Sequence, residues 1–360
     1  MATPHQVQVG NLLYTVVDDC TTSYLAILTG SVTDEILGEL YAPEFTVDTG
    51  RADLPSKTTA NGLFAVTGYP DQSFPHHSST TYTVSLELKA PGFRDLRITQ
   101  PILAGAAFPV IVPPAVLRRL PVRIQGRIVN DLTRAPIPGA LVLSVDNPTT
   151  PPVIHTTALR TPLHFDHASG TAAQLVTVTV VGGTSLNADV SAGDKVINLL
   201  ARTGLGPNSI VQLSNASQVK VEYGVVDHLG PGAPALPGQV FLRNALNRSF
   251  LQGLATTVQF VTAAPVGGPA TLATDANAGD GVLLATQLLN GAALVVDSGT
   301  LTAEYHEVGA LSDSDGYYRL DGMGRVQEIF LQGSQGALQQ KIGWFIEYDH
   351  ATNVVDLRLA

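Results

Sequence analysis

The residues best suited to chemistry are histidines and carboxylates, and few of them sit close together. His164-Phe-Asp-His167, with His155 upstream, is the most metal-like group, since neutral imidazoles at short spacing are common ligands for zinc and related ions. On a strand, residues three apart point to opposite faces, so both imidazoles can meet one ion only from a loop. Thr161-Pro162 before the pair and Ala168-Ser-Gly170 after it suggest such a loop. The expectation is an ordinary polar loop with no metal. His76-His77, after Phe74-Pro75, is a weaker candidate of the same kind. Asp313-Ser-Asp-Gly316 has the outline of a calcium loop but lacks the downstream bidentate Glu, which leaves a hairpin turn with Gly316 at positive φ. Asn61-Gly62 is the same device. Asp194 and Asp280, each following a Gly, read as side chains that close turns on the backbone. Trp344, Phe345 and Tyr348 fit a core better than an exposed platform for sugar. Cys20 is the one cysteine, which excludes an internal disulfide and thiolate metal clusters and reads as a small buried hydrophobe.

Recognised catalytic patterns are absent from the sequence: there is no Gly-x-Ser-x-Gly elbow, P-loop, dinucleotide fingerprint or His-Glu-x-x-His. No enzyme activity, cofactor or metal is therefore expected. A hydrolase would need an acid and a base drawn from loop carboxylates that no motif marks.

These side chains must be positioned by strands. Charged residues are 14% of the 360, Lys numbers five, and Gly (34) and Pro (23) are plentiful among Val, Thr, Leu and Ala. That mixture is poor in surface-helix formers and rich in strand and turn residues, so the chain is expected to be all-β with two to three domains. The net charge of −10 comes with no basic stripe, which argues against nucleic acid. No apolar run reaches 18 residues and the N-terminus has no signal-like segment, so a soluble chain made in the cytoplasm is expected.

A two-part signature occurs twice. Gly30-Ser-Val-Thr-Asp34 ends a strand, and Asn61-Gly-Leu-Phe64 opens another; Gly126-Arg-Ile-Val-Asn-Asp131 and Asp315-Gly-Tyr-Tyr318 repeat both parts across a much longer gap. Tyr82–Lys89 alternates as a half-buried strand should, and so does Val122–Asn130. The expected division is a sandwich at 8–104, a Pro-rich linker at 105–121 whose prolines make it a stiff spacer or an edge segment, and a second sandwich at 122–179 plus 306–360. Within the gap lies an internal duplication. Val181-Gly-Gly, Ala192-Gly-Asp194 and Glu222-Tyr223 recur as Val266-Gly-Gly, Ala278-Gly-Asp280 and Glu304-Tyr305. Two small β modules are expected there, one at 180–265 and a partial one at 266–305.

Ile124–Asp131, Pro136-Ile-Pro-Gly-Ala140 and Asp313–Leu320 together resemble a carboxypeptidase regulatory-like domain, and residues 30–34, 58–64 and 82–93 resemble an uninterrupted copy. The resemblance covers about half the chain. It implies two transthyretin-like antiparallel sandwiches and is nearly silent on function. Such domains lack the peptidase zinc pattern here, and strand 122–130 lacks the Lys that an isopeptide bond would need. The inserted units are similar to small β modules of phage-tail and contractile-injection-particle proteins. That likeness implies a non-enzymatic structural subunit, made in the cytoplasm and built into a particle, whose partners are protein subunits met through sheet edges and apolar patches. The alternative is a cell-surface or secreted adhesin or carbohydrate-binding module with a glycan as partner.

Overall fold

In a computed structural model of the chain, the described residues are 5–9, 12–16, 25–38, 44–68, 80–150, 152–215, 219–254, 256–297, 299 and 301–360. They form strands and turns with no α-helix among them, as the composition predicts. Among the described residues no helix is long and apolar enough to cross a membrane. Two compact units divide the chain, residues 1–119 and 120–360.

In the first unit Leu25–Asp34 pairs antiparallel with Leu63–Gly68, which pairs in turn with Ser56–Thr58. A second antiparallel sheet runs Thr46–Asp48, Tyr82–Lys89, Leu96–Ile102. Alternation along each strand places Ile27, Val32, Phe64 and Val66 of the first sheet in one core with Val47, Val84, Leu86, Leu88 and Ile102 of the second. The Pro-rich stretch does not behave as a free linker. Val110–Ile111 and Ala115–Leu117 pair parallel with Leu25–Asp34, and Val112, Ala115 and Leu117 join the core. Proline enforces the extended backbone that a spacer and an edge strand share, so the composition alone does not separate them.

The second unit carries an equivalent pair of sheets. Val122–Asn130 pairs antiparallel with Tyr317–Met323 and parallel with Thr352–Val354 and Leu357–Leu359. Opposite it the order is Ala310–Leu311, Leu141–Val145, Glu328–Gln335, Leu338–Phe345, all antiparallel. Ile124, Ile128, Val142, Tyr318, Leu320, Leu331, Val355 and Leu357 fill the core between them.

The repeated signature has a physical cause. Gly30 faces Phe64 and Gly126 faces Tyr318 in register. A Cβ on Gly30 would sit 2.5 Å from Phe64 Cζ, and one on Gly126 would sit 1.8 Å from the carbonyl oxygen of Val355 and 3.1 Å from Tyr318 Cε1. The glycine makes room for the aromatic ring across the strand. Four residues on, Asp34 Oδ1 accepts the amides of Ile36 and Leu37 (2.7 and 3.2 Å), as Asn130 Oδ1 accepts those of Leu132 and Thr133 (3.0 and 2.9 Å). Each side chain turns the chain at the strand's end.

Between Leu141–Val145 and Ala310–Leu311, which pair side by side, the chain makes its long excursion. Its sheet shows the duplication as a pattern of pairings. Ala172–Ser185 pairs with Thr257–Pro265, its own counterpart in the other repeat. Outward from that pair, Ile210–Asn215 and Lys220–Leu229 follow on one side, and Ala293–Asp297 and Glu304–Glu307 follow on the other. At one end Gly238–Leu242 follows Lys220–Leu229 and pairs with Val196–Leu199, while His155–Ala158 and Val282–Ala285 form a separate two-stranded sheet. With the repeats taken as 155–229 and 238–308, the first strand of each therefore pairs with the strand of the other that follows its Gly-Asp turn.

The cores follow the same exchange. Leu242, Leu246 and Phe250 of the second repeat pack with Ile197, Val211, Leu213 and Val226 of the first. Leu159 and Leu163 of the first pack with Leu283, Leu294, Val296 and Val308 of the second. The core around Leu213 and Val226 lies wholly within 180–265, whereas the core around Leu283 and Leu294 takes Leu159, Leu163, Ala173 and Val308 from outside 266–305. Residues 172–185 belong to the long sheet. The two repeats are interlocked.

Gly126→Ala is expected to destabilise the second unit by about 1–3 kcal/mol or more, because the obstructing atom is backbone rather than a side chain that can rotate away. Gly206→Ala, where a Cβ meets nothing within 4 Å, should change stability by less than about 0.5 kcal/mol. Urea denaturation of the two variants beside the parent checks the contrast.

Candidate functional site

The interlock brings together side chains far apart in sequence. The loop after His155–Ala158 reads Leu159-Arg-Thr-Pro-Leu163-His164 and ends at Gly170; the loop after Gly238–Leu242 reads Leu242-Arg-Asn-Ala-Leu246-Asn247 and ends at Gly253. Each returns to a Gly-Asp turn of the other repeat. Leu163 N donates to Asp280 O and Gly279 N to Leu163 O, while Leu246 N donates to Asp194 O and Gly193 N to Leu246 O. Asp194 and Asp280 close these turns as expected, accepting the amides of Ser191 and Asn277 at 2.7 and 2.8 Å.

Beneath each loop lies one buried glutamate. Glu222 accepts the amides of Asn247 (2.5 Å) and Arg248 (3.0 Å), one on each oxygen. Glu304 accepts those of His164 (2.7 Å) and Phe165 (3.3 Å) in the same way. A carboxylate on two backbone amides is a cradle for the loop, and the repeats build it twice.

Around Glu304 three imidazoles are added. His164 Nδ1 and His306 Nε2 each lie 2.9 Å from Oε2, and His167 Nε2 lies 2.6 Å from Oε1. The far nitrogen of His164 is 3.0 Å from Glu222 Oε1, so this ring bridges the two cradles. His306 Nδ1 faces Thr161 Oγ1 at 3.2 Å. All five side chains are sealed, with His164 at 3% exposure and His167, His306 and Glu222 at 0%. Burial opposes charge on His164, but the hydrogen bonds to Glu222 and Glu304 raise it to about 9. Burial likewise opposes charge on Glu304, yet His306, His164 and His167 hold it well below the usual carboxylate range. Arg160 pairs with Glu307 at the rim, and its carbonyl accepts from Arg248 Nη2 at 2.6 Å.

The histidine pair is thus on a loop, as the spacing requires, but a buried one and not the ordinary polar loop expected. His155 stands apart, its Nδ1 2.9 Å from Asp146. Asp313 forms the expected turn, Oδ1 accepting the amides of Asp315 and Tyr317, both at 2.9 Å. Trp344 and Tyr348 pack on the second core, with Trp344 Nε1 donating to Asn353 Oδ1 and Tyr348 OH donating to Val326 O. Phe345 is the exposed one of the three, which leaves no aromatic platform. Cys20 and His76-His77 lie outside the described residues. Glu222, Glu304 and His306 were not singled out as site residues, although Glu-Tyr was a marker of the repeat.

A cleft of about 570 Å³ opens beside the cluster, with Arg160, Lys220, Arg248, Tyr317 and Arg319 in its lining. These cations are engaged: Arg319 with Asp321 at 2.7 Å, Arg248 with the Arg160 carbonyl, and Lys220 with the Ser249 carbonyl at 3.3 Å. Asp313 is the one carboxylate among the lining residues, so no acid–base pair of the glycosidase kind meets in this cleft.

No family model matches the chain, and no curated protein matches it. Among solved structures it is similar to the Bacillus anthracis TIE protein, at 10% identity and a TM-score of 0.20, over 94% of this chain and 51% of that one. The chain thus spans about half the length of that protein. It is also similar to BcpA, the major pilin subunit of Bacillus cereus, at 9% identity and a TM-score of 0.19, over 94% of this chain and 99% of that one. At such TM-scores the likeness carries nothing about what this chain does.

Glu304→Gln keeps the shape but removes the charge that five donors face. Breaking a buried pair by removing one partner costs about 3–5 kcal/mol, and a loss of that size is expected in urea or thermal unfolding. A loss under about 1 kcal/mol would mean the cluster does not hold the repeats together.

Proposed function

We propose that the chain is a non-enzymatic structural subunit of a larger assembly, and that the assembly is a phage-like contractile tail or injection particle. The observation that carries this reading is where the chemistry lies. Among the described residues the densest group of titratable side chains is closed to water and ties one repeat to the other, so it serves cohesion and has no route to a substrate. What the second unit offers to solvent is a sheet edge.

Leu338–Phe345 ends the order of its sheet, with Glu328–Gln335 as its one ladder partner among the described strands, and of its amides that of Gln339 donates to the Ala360 carbonyl. Its burial alternates at every residue, and Phe345 at its end is 64% exposed. In the first unit, Leu96–Ile102 ends its sheet in the same manner. An open edge presents unpaired amides and carbonyls to any strand that arrives in register, and low charge density leaves shape and apolar contact to set the fit. The particle as the specific setting rests on the resemblance of the inserted repeats to tail-particle modules.

Sedimentation of native-host lysate with mass spectrometry of the fractions tests the reading. The chain is expected to run with sheath- and tube-like proteins, and finding it only as a free species or in the medium would refute it. Phe345→Lys should leave the melting temperature of the isolated chain unchanged within a degree or two and abolish its co-sedimentation.

A further inference from the structure

The duplication supplies an internal control for the histidine cluster. The cradle of Glu222 has the same two backbone amides as that of Glu304. Where the Glu304 site has His164, His167 and His306, the positions equivalent by repeat are Asn247, Phe250 and Gly224. Phe250 packs in the apolar core there, and Val190 bridges to it as Ala276 bridges to His167. The loop and its cradle fold without imidazoles. Three of the chain's nine histidines nevertheless converge on one carboxylate.

The geometry at Oε2 is crowded for hydrogen bonding alone. That oxygen is within 2.9 Å of the His164 amide, His164 Nδ1 and His306 Nε2, three nitrogens on an atom with about two lone-pair directions. Two ligand atoms each about 2.0–2.2 Å from a shared ion are themselves about 2.9–3.5 Å apart at angles near 90–109°, which is the spacing seen here. His164, Glu304 and His306 offer ligand atoms that all lie within 4.8 Å of one another.

We infer that this cluster is a binding site for a divalent first-row metal ion of the zinc type, held by His164 Nδ1, His306 Nε2 and Glu304 Oε2. Each ligand has the outer support such sites need. Glu222 accepts from Nε2 of His164, Thr161 stands at Nδ1 of His306, and His167 donates to Oε1 of Glu304, which leaves Oε2 for the ion. Imidazole with carboxylate suits zinc better than magnesium or calcium, whose ligands are oxygens. The three ligands leave one position on the ion for an enclosed water, and because they are sealed from bulk solvent the ion holds structure, stapling a loop of the first repeat to a strand of the second. The inference is independent of the assembly reading, since metal content is measured on the isolated chain.

The test is elemental analysis of the purified full chain after loading with zinc and removal of free ion, beside His164→Asn and His306→Gly. These variants install the residues that the sister cradle already tolerates. The parent should retain about one equivalent of zinc and lose thermal stability on chelation; the variants should retain about none, with melting that no longer responds to chelator. Loading with Co²⁺ gives a second readout on the parent alone, a visible d–d absorption from imidazole and carboxylate ligands. A zinc-loaded parent below about a tenth of an equivalent, with no cobalt absorption and no response to chelator, would overturn the site. Full retention of zinc by both variants would also overturn it.

Discussion

Taking a carboxylate out of water costs several kcal/mol unless donors replace its hydration, and Glu304 at 2% exposure is met by donors on both oxygens. Two are backbone amides of a loop from the other repeat, and three are imidazoles, one of which reaches on to Glu222. The junction between the two halves of the long excursion is built on that contact. The loop closes the apolar core of a repeat to which it does not belong in sequence, and the buried charge fixes where the loop must sit. Glu222 does the same for the reciprocal loop. The insertion is in this sense one object with two halves that complete each other.

The paired sheets of each unit depend on a steric constraint instead. A glycine opposite an aromatic ring lets Phe64 and Tyr318 lie over the facing strand, and an Asp or Asn four residues later turns the chain. The excursion leaves and returns on adjacent strands of one sheet, Leu141–Val145 and Ala310–Leu311, and its Ala158 and Val282 are buried in the core beneath. A fold that keeps its polar chemistry inside and its strand edges outside is suited to being a part of something larger.

Legibility in the sequence followed locality. The all-β class, the signature glycines and aromatics, and the turns at Asp194, Asp280 and Asp313 were readable because each depends on neighbours a few residues away. The duplication was readable from Gly-Asp and Glu-Tyr, whereas its upstream half, Leu-Arg-x-x-Leu at 159–163 and 242–246, is too short a pattern to stand out without the strand pairing. The exchange of strands has no local mark. His164 meets Glu222 and Glu304 from 58 and 140 residues away, which is why the pair looked like a polar loop. The Pro-rich stretch left two readings open for another reason, since an extended segment reads the same whether it pairs with a sheet or spans a gap, and here it pairs.

Hydrogen exchange followed by mass spectrometry on the native chain tests the interlock most directly. If each half is completed by the other, the amides of 159–170 exchange together with those of Val282–Glu307, those of 242–253 exchange with Val196–Leu229, and all share one opening free energy. Protection that survives across 155–229 while 238–308 opens by itself would contradict the account, because it would mean each repeat closes its own core.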